Sequence, residues 1–369
     1  METTVNITGL TIKTMEKHQL EFAEYSLLPT PAVTLRRFDD SRSRFYYYAV
    51  PENGQLVTKT AIGVTSLLSL VMPQSSFLTD WKVNTPEYKH VLKLSADYGT
   101  MLHRLYGEWL INKKVDKDVL EAARQISLSY GASYDLVDKD MLAFLKFQED
   151  YDIQPMLVEA MLLSPPIDGE SFAMTIDLLA SYQATETVTE LVAEGMYVRG
   201  KNKGQPKMVE KKVTKTVRKI MLCDFKSNVS EKEQKSYYQS HLFQLMSGKE
   251  AVEYNYDIKV DMICNMSPLA WKKNPGYSLK EWQPTDQDRA LLDSYIAIGK
   301  LQGFFRPSGY LFVGPEFTEA TKSSDYSLIS YDDYARNQFT SVVTVEDSIP
   351  PEFLDSDILS YVDMINELT

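Results

Sequence analysis

Apolar and polar positions change period several times along the chain, and each change predicts an element. "RFYYYAV" (44–50) is rich in residues suited to a pleated surface and ends at the turn-forming Pro51–Gly54, which predicts a strand. "VTSLLSLVMP" (64–73) predicts a short helix, with Thr65 or Ser66 as its cap and Pro73 as its stop. From about Thr85 to Lys113, Val91, Leu94, Tyr98, Leu102, Leu105 and Trp109 recur at helical spacing. A second helical stretch, more weakly patterned, covers Lys117 to about Phe147.

The pattern then turns to strand. "MLVEAMLLS" (156–164) and "SFAMTIDLLA" (171–180) are apolar runs on either side of the turn signal "PPIDGE". "TVTELVAEGMYVRG" and "MVEKKVTKTVRKIMLCDFKS" alternate at period two around "KNKGQPK", which predicts a long hairpin. Helix returns at 231–248 and strand at 252–266. This order of helices and strands implies an α/β or α+β core in residues 1–310, with a strand and helix region over 1–84 and the main core over 85–310.

Composition refines that picture. Of 369 residues, 44% are apolar and 24% charged, as in a soluble globular protein. No apolar run reaches the roughly 18–20 residues that span a bilayer, and no signal peptide is visible, so a cytoplasmic location without a membrane partner is expected. The two cysteines, Cys223 and Cys264, are too few for a disulfide framework, a four-cysteine zinc site or an iron–sulfur cluster. His18, His90, His103 and His241 show no zinc-binding spacing, and there is no G-x-x-x-x-G-K-[ST] loop for a nucleotide. The net charge of −12 is unevenly spread, because residues 311–369 hold twelve acidic against two basic residues. That acidic tail reads as an appendage that solubilises the chain or shields a basic patch. The rest is nearly neutral, so a phosphate-rich ligand is not excluded.

Candidate chemistry lies where charges interrupt apolar segments. Asp224 and Lys226 fall two apart in "IMLCDFKS" and so project to one side of a strand. Asp177 interrupts "MTIDLL" and Glu159 interrupts "MLVEAMLL". His103 lies between Gly99 and Gly107, each four residues away on its helix face. A buried carboxylate needs a partner or a cation.

The series "GTMLHRL", "VEAML…MTIDLL", "CDFKS" and "YYQSHLF" resembles the ordered motifs of RecB-like nucleases in the PD-(D/E)xK superfamily, and the region upstream is similar to bacteriophage and mitochondrial-type exonucleases of that group. The resemblance covers roughly Phe45 to Met266. It implies a restriction-endonuclease-like core, a central mixed sheet flanked by helices, and a metal-dependent DNA nuclease, with exonucleolytic action expected, serving recombination, repair or replication. It implies His103, Asp177 and Asp224 as metal ligands, Lys226 as the catalytic lysine, Gln239 as a group that positions lysine or substrate, with Phe243 at the aromatic position, and Glu159 as a further acidic residue of the site. Mg²⁺ is the expected ion and Mn²⁺ a substitute, since carboxylates with an imidazole suit both. DNA is the expected partner; a helicase, a single-strand-binding or an annealing protein would be separate, and the compartment would be the host cytoplasm for a phage protein. Met174 departs from the usual glycine, Phe243 from the usual tyrosine, and 46 residues separate the two acidic motifs, a gap the hairpin fills. A nucleic-acid-binding or assembly protein that kept the fold without turnover stays open.

The hairpin carries its own signal. Arg199, Lys201, Lys203, Lys207, Lys211, Lys212, Lys215, Arg218 and Lys219 stand against Glu210 alone, a patch that would attract backbone phosphates. Tyr46–Tyr48 and Tyr237–Tyr238 could stack bases or belong to the core.

Overall fold

Alternating runs pair into strands and 3.6-period runs cover them. The computed structural model describes residues 43–305, except 53–54, 75, 130, 229–235 and 270–275, together with 3–7, 10–14, 25, 26, 28, 33 and 35–39. The acidic tail, 311–369, lies outside the described residues.

The strands are β1 (Thr3–Ile7), β2 (Leu10–Thr14), β3 (Tyr25–Ser26), β4 (Arg36–Asp39), β5 (Arg44–Glu52), β6 (Gln55–Gly63), β7 (Gln154–Leu163), β8 (Phe172–Met196), β9 (Pro206–Phe225), β10 (Met262–Pro268) and β11 (Tyr277–Trp282). The helices are α1 (Val64–Val71), α2 (Ser76–Asn84), α3 (Tyr88–Asn112), α4 (Lys117–Ser129), α5 (Leu136–Asp150), α6 (Gln239–Tyr256) and α7 (Asp286–Leu301). Apart from the β1–β2 pair, the strands form one mixed sheet of order β11-β10-β9-β8-β6-β5-β4, with β7 beside β8 and β3 beside β7. β9 with β10 and β6 with β8 are parallel; the other pairs are antiparallel. One core layer joins α3, α4 and α5 to Leu178, Ala180, Cys223 and Phe225. The opposite layer joins α1, α6 and α7 to Met174, Ile176, Leu179 and Leu222. The chain is therefore an α/β protein with a mixed sheet flanked by helices.

Several boundaries differ from the pattern reading. α1 is capped at Gly63 rather than Thr65 or Ser66, because the Ser66 hydroxyl accepts the Arg44 backbone N–H (2.9 Å) instead of closing the helix end. The weak stretch 117–147 is two helices, parted at Gly131, whose φ of +81° suits glycine. α6 runs on through Ala251 and Val252, which are fully buried, and stops where Asp257 takes a left-handed φ of +54°. The strand expected from 252 therefore begins at Met262. At α7, Thr285 and Asp288 cap each other reciprocally, Asp288 N–H to Thr285 Oγ1 (3.2 Å) and Thr285 N–H to Asp288 Oδ2 (3.0 Å). Tyr46 and Tyr48 are buried core residues, unavailable for stacking bases, whereas Tyr238 is exposed.

What positions the site is a discontinuity in β8. One edge pairs with β7 from Ala173 to Ser181. The other edge pairs with β6 only at Phe172 and Ala173, and with β9 only from Leu178 onward. The sheet thus forks beside Met174–Asp177. At the same rung both strands change face: Met174 and Ile176 pack toward α6, but Leu178 and Ala180 toward α3. In β7, Val158 packs toward α3 but Ala160 and Leu162 toward α6. Glu159 makes the reversal with a φ of +50°, sparsely populated for a residue with a side chain.

Two helices clamp the end of β9 by close approach. A Cβ at Gly99 of α3 would lie 3.1 Å from Ser227 Oγ, and one at Gly248 of α6 would lie 2.9 Å from Leu222 Cδ2. Overpacking of this kind costs about 1–3 kcal/mol. Gly248→Val is therefore expected to lower unfolding stability by about that much in urea titrations; an unchanged midpoint would show that α6 does not press on β9.

Candidate metal centre

His103, Glu159, Asp177, Asp224 and Lys226 come from α3, β7, β8 and the end of β9, and the fork brings them together. The His103 imidazole lies with Nε2 3.1 Å from the Phe225 carbonyl oxygen. A carbonyl only accepts, so Nε2 carries the proton and donates. In the neutral ring the lone pair is then on Nδ1, which faces Glu159 Oε1 at 3.4 Å and Asp177 Oδ1 at 3.6 Å. A ring proton held by a backbone carbonyl is how ligand histidines are oriented. One donor atom from each of His103, Glu159 and Asp177 lies within 4.8 Å of the others.

Asp177 is buried, and its Oδ2 accepts the Phe225 backbone N–H at 2.6 Å. Beyond the Leu178↔Cys223 rung a carboxylate thus replaces a strand carbonyl as the partner of β9. Asp224 is buried on the other side of the fork. Its Oδ1 accepts from Gln244 Nε2 at 2.8 Å, and its Oδ2 accepts from Asn265 Nδ2 and lies 3.1 Å from Lys226 Nζ. The Asn265 carbonyl accepts from Trp282 Nε1 at 2.7 Å, which fixes the amide orientation. Gln244 Oε1 also takes a bond from Lys226 Nζ at 3.4 Å, so one glutamine holds both charged groups.

The electrostatics follow from crowding acids where water is scarce. Burial raises the Asp177 carboxyl; His103 and Lys226 pull it back, while Glu159 pushes it up further. Burial likewise lifts Asp224 from 3.8 to about 6; Lys226 opposes the rise and the Asp177 charge adds to it. That disfavours the ionised form of Asp224. Burial alone would lower the His103 pKa, but Asp177 and Glu159 outweigh it and push the imidazole up to about 9. The site lacks positive charge for its acids, which is what a divalent cation supplies.

Of the expected metal ligands, His103 and Asp177 share a compact donor cluster; the third member is Glu159 rather than Asp224. Gln239 is a correction. It is exposed at the first turn of α6 and bonds Asp288, on a face about 140° away from Gln244 at 100° per residue. Gln239 fitted the motif because an aromatic, Phe243, follows four residues on; Phe243 is buried in the core against Tyr295. Sequence reading missed Gln244, Asn265 and Trp282. None of the three stood out, because α6 mixes Gln, Ser, Lys and Glu among its apolar residues and the other two lie in ordinary strand sequence. No protein-family model and no curated protein matches the chain.

The basic segment also needs correction, since it does not crowd against this site. Lys211, Lys215 and Lys219 of β9 pair with Glu194, Glu190 and Glu186 of β8, each lysine reaching a glutamate four residues beyond its opposite number. Arg218 pairs with Asp152 at the root of the hairpin. Counting only residues 199–219 left out these acids on the partner strand. No helix among the described residues is long and apolar enough to cross a membrane.

The raised His103 pKa makes a signed prediction for chelator-treated protein. A group whose pKa rises from 6.5 to about 9 on folding contributes stability that is fully present below pH 6.5 and lost as pH rises through 9. The melting temperature should therefore fall between pH 6.5 and 9.5, and His103→Asn should reduce the fall. An equal fall in the variant would show that the imidazole is not held by these acids.

Proposed function

We propose that the chain is a divalent-metal-dependent nuclease that hydrolyses phosphodiester bonds in DNA, built on a PD-(D/E)xK core. The observation that carries the reading is the forked end of β8 and β9. There, Nδ1 of a tautomer-fixed histidine and two carboxylates converge beside a buried lysine–aspartate pair. The donor set suits Mg²⁺ or Mn²⁺: hard carboxylate oxygens predominate, and one imidazole favours Mn²⁺ as an effective substitute.

Such an ion, held by His103, Glu159 and Asp177, would supply a polarised water and offset charge on the phosphate oxygens. The chain's own groups account for the rest. Lys226, 6% exposed, presents an ammonium beside Asp224 where a phosphate oxygen or the attacking water would sit. Asp224, lifted to about 6 by burial and held by Gln244, Asn265 and Lys226, can take up a proton near neutral pH. Gln244 bonds both groups and keeps the lysine aimed. Exonucleolytic action in recombination, repair or replication belongs to this reading through the resemblance in the motifs.

Labelled linear DNA incubated with Mg²⁺ or Mn²⁺ tests it. The wild type should degrade the DNA, Lys226→Ala should slow the reaction about 10²–10⁴-fold, and Asp177→Asn should abolish it. Equal degradation by wild type and Lys226→Ala, or none by the wild type on any form of DNA, would refute the proposal.

A further inference from the structure

β8 and β9 continue far beyond the sheet. β7 leaves β8 at Ser181 and β10 leaves β9 at Met221, whereas β8 and β9 go on pairing to Met196↔Pro206. Among the described residues, this distal part is therefore a two-stranded ribbon. Asp177 and Met196 lie on the same strand, 19 residues apart, or about 60 Å at roughly 3.3 Å per residue.

Charge is not spread evenly along this arm. Along the shaft Lys211, Lys215 and Lys219 are taken up by a lysine–glutamate ladder, outside which Lys212 stands, with Val188, Val192, Val209, Val213 and Val217 in the rows between. The turn is different. Arg199, Lys201 and Lys203 are exposed and have no ion-pair partner among the described residues. The turn is built, with Tyr197 N–H bonded to Gln205 O (3.0 Å), Gly204 N–H to Tyr197 O (2.9 Å) and Gly200 and Gly204 at φ of +90° and +86°. Beside the charges stand exposed apolar side chains, Met196 (67%), Val198 (81%) and Met208 (50%). A purely solvating tip has no use for these, whereas proteins that grip a duplex combine phosphate-binding cations with apolar side chains set against base steps.

We propose that the tip is a second contact for a nucleic-acid duplex, gripping the polymer about 60 Å from the site where its backbone is cut. The inference rests on the nuclease reading for its substrate class. It deepens that reading, because a contact so distant serves only a long polyanion. At about 3.4 Å per base pair the span is about 18 base pairs, so shorter duplexes cannot engage both points.

The test uses the full chain and Arg199→Gln/Lys201→Gln/Lys203→Gln together, which leaves both turn glycines in place; an unchanged melting temperature verifies folding. Fluorescence polarisation with chelator present measures binding of 40- and 10-base-pair duplexes across a salt series, without turnover. The expected result is at least tenfold weaker binding of the 40-mer at low salt. The slope of log affinity against log salt should flatten by roughly 2–3, about one per lost charge, and the 10-mer should change less than twofold. Unchanged affinity for the 40-mer, equal loss at both lengths, or tighter binding by the variant would overturn the proposal, the last pointing to the acidic segment 311–369 as the tip's occupant. A wild type that binds as expected yet never cleaves DNA would sink the nuclease reading and leave the tip contact standing. A wild type that cleaves while the triple variant binds equally well would sink only the tip contact.

Discussion

Everything in this structure turns on keeping three carboxylates, Glu159, Asp177 and Asp224, close together at low exposure without unfolding the protein around them. Buried acids repel one another and lose their hydration, so each must be paired, protonated or bound to a cation. The chain pairs all three. Asp177 takes a backbone N–H from Phe225, Asp224 takes two amide donors and an ammonium, and His103 sits between Glu159 and Asp177. The pressure that remains is visible in the upward shifts of both aspartates. A site with that residual demand suits a divalent cation.

The fold is organised to sustain this. Continuous pairing of β8 with its neighbours would satisfy the backbone but leave no room for side chains, so the sheet forks at the rung where both strands switch face. The left-handed turn of Glu159 stores strain there, a cost that surrounding packing must over-determine. That packing is provided from both sides, by α3 against Ser227 at Gly99 and by α6 against Leu222 at Gly248. The arm distributes charge in a related manner: glutamates of β8 take up Lys211, Lys215 and Lys219 along the shaft, whereas the three cations of the turn have no acidic partner among the described residues.

Much of this was legible in the sequence because it obeys simple periods. The apolar stripe of α3, the long hairpin and the runs 156–164 and 171–180 fall where spacing put them. The polar interruptions His103, Glu159, Asp177, Asp224 and Lys226 stood out because each violates its local pattern. What was not legible depends on register or on backbone reversal. Glu159 joins the donor cluster through a left-handed φ that a glutamate does not advertise. The lysine–glutamate ladder exists only once β8 and β9 are paired in register, so a count along one strand misread its charge. Gln244 escaped because α6 mixes polar and apolar residues around its circumference, which leaves no stripe to show which glutamine points at β9; Asn265 and Trp282 look unremarkable in a strand sequence.

The most direct measurement is anomalous scattering from crystals soaked in Mn²⁺. The account predicts a single strong peak within coordinating distance of His103 Nδ1, Glu159 and Asp177, with Lys226 alongside. Saturating Mn²⁺ that leaves this cluster without a peak, or that binds only at surface acids elsewhere, would contradict it.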